Sequence, residues 1–148
     1  MLVGQGQLKE LVKSLHPAQL SAIDAEAIIE ITQLALDADG REDSDEIKTY
    51  FALGKAVFGI AGLGDAETPT FVSDDEDGER MKELAATLTT PAAKELAFAC
   101  AHVLSIADVD IAPEESDFLA ALLDALGISD DRAEELTAKV NELITPPE

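Results

Sequence analysis

Apolar residues recur along this chain with a spacing of three and four, the mark of helices that bury one face. Leu8, Leu11, Val12 and Leu15 predict a first helix over Gln5 to Leu15, stopped by Pro17. A second begins at about Ser21 or Asp24, carries Ile28, Ile31, Leu34 and Ala35, and ends at Asp39-Gly40, where glycine favours a helix stop. Ile47, Phe51, Gly54 and Phe58 continue the pattern, with Tyr50, Leu53 and Val57 widening the same face to that of a buried helix. Gly59 to Phe71, with Gly62, Gly64 and Pro69, reads as the central loop and leads into the acidic run Asp74 to Glu79.

The second half repeats the scheme. A helix from about Asp77 to Leu88 closes at Thr89, Thr90 and Pro91, and Thr90 caps the next helix, which carries Leu96, Ala99, Val103 and Ala107. Pro113 opens a helix whose core face is Phe118, Leu119, Leu122 and Leu126, ending at Gly127. Asp131 and Glu134 have capping-box spacing for a last helix to Ile144, with Leu136, Val140, Leu143 and Ile144 as its apolar stripe. No stretch alternates with period two for long enough to predict a strand. The expected fold is all-α, a compact bundle of about seven helices in one domain over residues 1–148, with repeat halves at about 22–62 and 91–128.

That repeat carries the candidate chemistry. Ala38-Asp39 is followed by Glu46 seven residues after the aspartate, and Ala107-Asp108 by Glu115 at the same spacing, 69 residues further on. Each copy falls in an acidic loop between two helices. Helix capping accounts for part of it, because Asp43 and Glu46 are spaced as cap and third helical residue and Glu115 holds the same place after Pro113; carboxylates there face free amide groups and the positive end of the helix dipole. Capping does not account for Asp39 and Asp108, or for Asp37, Asp43, Asp45, Asp110 and Glu114 crowded around them. Such a set repels itself unless it is well solvated or a cation sits within it. A hard cation takes six or more oxygen ligands from groups of this kind, which favours Ca²⁺, Mg²⁺ or Mn²⁺ over Zn²⁺.

The first loop matches the EF-hand pattern only in part. With Gly40 in the sixth place, Asp37, Asp39 and Glu46 fall on the third, fifth and twelfth, but Ala35 stands where the first aspartate belongs and Glu42 where an aliphatic residue belongs. The second copy has Ile106 and Val109 at the Asp and Gly positions.

The stretch Ala38-Asp39-Gly40-Arg41-Glu42-Asp43-Ser44-Asp45-Glu46 and its partial copy, in an all-helical chain of this length, resemble the tellurite-resistance TerB family and the related helical segment found ahead of J-domains in some membrane co-chaperones. The resemblance covers roughly Glu26 to Phe58 and Glu95 to Gly127. It implies a helical bundle with an internal pseudo-repeat, a divalent-metal site built from Asp39, Glu46, Asp108 and Glu115, and a stress-associated, tellurite-resistance setting. Val109 in place of glycine and the additional Asp110 depart from the pattern in the second half.

Charge narrows the partners. Thirty-one acidic residues against ten Lys and Arg give a formal charge of −21, which disfavours nucleic acid and anionic membrane surfaces and favours cations or basic protein patches. An interaction module whose acidic face docks a basic protein without metal is the alternative reading, and a homodimer stays open. The single Cys100 cannot form an intramolecular disulfide, the N-terminus lacks a signal-peptide pattern, and no uninterrupted apolar run is long enough for a membrane helix, so the expected location is cytoplasmic.

Little points to an enzyme. His16 and His102 are the only histidines, and His16-Pro17-Ala18 is not the His-Pro-Asp of a J-domain. Gly54-Lys55-Ala56 lacks the upstream glycine and hydroxyl of a phosphate loop, and Gly59, Gly62 and Gly64 are misordered for a dinucleotide fingerprint. Wet carboxylates give no reason for the raised pKa that a general acid needs. The expectation is a non-enzymatic domain.

Overall fold

A computed structural model of the chain describes residues 5–15, 20–37, 44–62, 79–88, 90–107 and 113–143. It is all-helical: α1 (Gln5–Leu15), α2 (Ala22–Asp37), α3 (Ser44–Ile60), α4 (Glu79–Thr87), α5 (Pro91–Ala107), α6 (Pro113–Leu126) and α7 (Asp130–Leu143). The helix ends follow local chemistry. The Ser21 hydroxyl accepts from the Asp24 amide at 3.2 Å to start α2, and the Thr90 hydroxyl accepts from the Ala93 amide at 3.2 Å to start α5. At the end of α6, Gly127 takes a positive φ of 72° while the Ile128 amide reaches the Leu123 carbonyl at 3.1 Å, the backbone reversal that glycine makes without a Cβ clash.

Three sequence expectations are corrected. The α7 cap is Ser129, whose hydroxyl accepts from the Arg132 amide at 3.2 Å, so the helix starts at Asp130 and Asp131 is an ordinary first-turn acid. Helix α3 runs through Gly59 to Ile60 instead of yielding to a loop at Gly59, and the Leu20 amide donates to its terminal Ile60 carbonyl at 3.0 Å. Phe51 does not belong to the buried face of α3: it is 42% exposed, because that face centres on Tyr50, Leu53 and Val57 and Phe51 lies off its edge.

Helices α2 and α5 pack on each other at the centre. Leu96 to Ala101 are all buried, so the middle of α5 is covered all round instead of along one stripe. Alanines at 25, 93, 97, 99 and 101 let the central backbones approach closely, and Ile28, Ile29, Ile31, Leu53, Leu122 and Val140 complete a single core.

The packing is paired. α1 lies on α3 as α4 lies on α6, α2 on α3 as α5 on α6, α2 on α4 as α1 on α5, and α3 on α5 as α2 on α6. Exchanging the first three helices for the next three carries each of these contacts onto another, with the α2–α5 contact mapped onto itself. The repeated unit in packing thus includes α1 and α4, which the sequence repeat at 22–62 and 91–128 leaves out. Helix α7 stands outside this pairing, against α5 and α1. It is tied to α5 by the Arg132 guanidinium, which donates two hydrogen bonds to the Glu95 carboxylate at 2.6 and 2.8 Å and a third to Glu135 at 2.7 Å. That hydrogen bonding and charge hold the Glu95 carboxyl below the usual carboxylate range.

Candidate functional site

The two acidic segments fall between matching helices in the sequence: 38–43 between α2 and α3, 108–112 between α5 and α6. Glu46 is the third residue of α3 and Glu115 the third residue of α6, so both sit in a first turn, where free amides and the dipole favour a carboxylate. Asp39 and Asp108, together with Asp43 and Asp110, lie outside the described residues. Among the described residues no three His, Cys, Asp or Glu side chains come together as metal ligands, and no helix is long and apolar enough to cross a membrane.

The helices that carry the first loop are pinned below it by polar groups. Thr32, Gln33 and Thr49 are the buried polar residues among those described, and all three belong to α2 or α3. Tyr50, on the turn after Glu46, donates its hydroxyl to Gln33 Oε1 at 3.3 Å, binding the start of α3 to the second half of α2. One residue earlier on α2, Thr32 donates to the Ile28 carbonyl at 2.7 Å, and its hydroxyl acts on the Cys100 thiol of α5. Burial pushes the Cys100 thiol up to about 12, against the smaller opposing effect of Thr32, so it is neutral and inert at neutral pH. The Tyr50–Gln33 bond joins α2 and α3 near the ends that bound residues 38–43.

His102, six residues before Asp108, stacks on Phe98 with ring centres 6.0 Å apart. Burial lowers its pKa, which leaves it a neutral ring packed against α5's own apolar surface. A structural role therefore accounts for its position.

The Tyr50–Gln33 bond, the Thr32–Cys100 contact and the Arg132–Glu95 pair are absent from the sequence reading. Thr32-Gln33 between Ile31 and Leu34 is the only local signal for the first two, a polar pair inside a run too apolar to be a solvent face. Arg132 and Glu95 are 37 residues apart, with nothing local to join them. Compared with protein-family models, with curated proteins and with solved structures, the chain matches none.

Proposed function

We propose that this chain is a non-enzymatic, acidic helical domain of TerB-like character that binds a hard divalent cation through the loops around Asp39 and Asp108 and works by protein contacts in a cytoplasmic stress-associated system. The observation that supports it is the pairing in the packing of α2 and α3 with α5 and α6, the helices between which the two copies of the Asp-to-Glu repeat fall in the sequence. With Asp39 and Asp108 they form the proposed ligand set: carboxylate oxygens, suited to Ca²⁺, Mg²⁺ or Mn²⁺ ahead of Zn²⁺. The cation's chemistry here is charge neutralisation, relieving repulsion in two acidic loops of a chain with formal charge −21.

Isothermal calorimetry with Ca²⁺, Mg²⁺, Mn²⁺ and Zn²⁺ tests this reading. Wild-type protein is expected to give saturable heat with at least one of the first three, and Asp39→Asn with Asp108→Asn to abolish it. Equal heat from both proteins, or none from either, rules the ligand set out. The second reading, docking of a basic protein without metal, is favoured by the acidic flank of α7 described next.

A further inference from the structure

A groove of about 560 Å³, open to solvent, runs where α5, α6 and α7 meet. Phe98 of α5, Leu123 of α6 and Ala133 of α7 form its apolar floor, while Asp130 and Glu134 of α7 stand along it. Both acids are exposed, and Phe98 and Ala133 are buried.

The arrangement of α7 explains why this wall is acidic. Ala133, Leu136 and Val140 form the stripe that α7 buries. Asp130, Glu134 and Ala138 follow at four-residue steps along one flank of that stripe, the groove side. The two basic residues of the helix, Arg132 and Lys139, lie on the opposite flank, where Arg132 is bonded to Glu95 and Lys139 is close enough to act on the same carboxylate. Helical register puts both cations of α7 on the far flank, so the residues that α7 contributes to the groove include the acids Asp130 and Glu134 and no lysine or arginine.

We infer that this groove docks a basic amphipathic segment of a partner protein, with an apolar side chain on Phe98 and Leu123 and a lysine or arginine beside Asp130 and Glu134. Charge complementarity selects the cationic residue, and the apolar floor selects the hydrophobic neighbour that distinguishes such a segment from a simple polycation. A shallow trough between three helices admits an extended or helical peptide laid along it. The inference rests on the protein-contact part of the proposed function and is independent of metal.

The test is a ¹⁵N NMR titration of the full chain in EDTA. The probes are a fourteen-residue Leu/Lys amphipathic peptide, an oligolysine of equal charge, and hexylammonium. The Leu/Lys peptide is expected to shift amides around Phe98, Leu123 and Glu134 saturably, and to bind about tenfold more tightly than oligolysine. Glu134→Lys and, separately, Ala138→Trp, which fills the groove from an exposed position, should each weaken it about tenfold with the remaining spectrum unchanged. Unchanged affinity in both variants, or equal affinity for oligolysine, overturns the groove. Hexylammonium binding as tightly as the peptide replaces the protein partner with a small cation and also overturns it. Shifts centred on residues 38–46 and 107–115 overturn the groove but leave protein docking standing, whereas no shift anywhere removes both.

Discussion

Native Cys100 is expected to react with an aromatic disulfide reagent at pH 8 at least ~10³-fold more slowly than the same cysteine in the denatured chain. Thiolate supply at pH 8 falls roughly 10³-fold as burial moves the thiol from 9.0 to about 12, an effect partly offset because a more basic thiolate is more nucleophilic. Complete burial between α2 and α5 adds a barrier to the reagent itself. The observed rate then reports opening of the central packing. Absorbance kinetics on native and urea-denatured protein measure the ratio, and a prompt native reaction would mean that α5 is not enclosed as described.

Ile28→Ala is the companion experiment, with an expected loss of about 2–5 kcal/mol in unfolding free energy. Ile28 is fully buried on α2, which packs against α3, α4, α5 and α6, so few neighbours can move to close the void without loosening another contact. Ile28→Val keeps most of the volume and should cost only about 0.5–1.5 kcal/mol. Urea denaturation monitored by circular dichroism gives both values. Because every 1.4 kcal/mol is about a factor of ten, a loss of 2 kcal/mol should also speed Cys100 modification by roughly 30-fold if the thiol is reached by unfolding. A change in stability without a matching change in reactivity would place the reactive opening in a smaller motion of α5.

The helices themselves were legible because their determinants are local. Leu8, Leu11, Val12 and Leu15 predict α1 to the residue, and Thr90, Pro91, Pro113 and Gly127 mark ends that the structure keeps. What was not legible depends on neighbours. Phe51 fits the apolar spacing of α3 as well as Phe58 does, yet one is partly exposed and the other buried, since the choice is made by which helices lie alongside. The cap of α7 was misplaced because Ser129, Asp130 and Asp131 are all good caps and only the backbone decides among them. The spacing of Leu96, Ala99 and Val103 gave one face of α5, whereas the burial of Leu96 to Ala101 on every side follows from five other helices, α1, α2, α3, α6 and α7, packing around it.

The candidate site divides the same way. The seven-residue spacing from Asp39 to Glu46 and from Asp108 to Glu115 is plain in the sequence, and the helical setting of the two glutamates agrees with it. The groove beside Asp130 and Glu134 had no such signal, because its lining is assembled from three helices that lie apart in the sequence.

Paramagnetic broadening by Mn²⁺ tests the central claim most directly, since it reports where a divalent cation resides on each backbone amide. Substoichiometric Mn²⁺ added to ¹⁵N-labelled protein is predicted to erase the signals of residues 38–46 and 107–115 first, and excess Mg²⁺ or Ca²⁺ to restore them. Broadening spread evenly over the acidic surface, with Asp130 to Glu135 affected as strongly as the two loops, would contradict it.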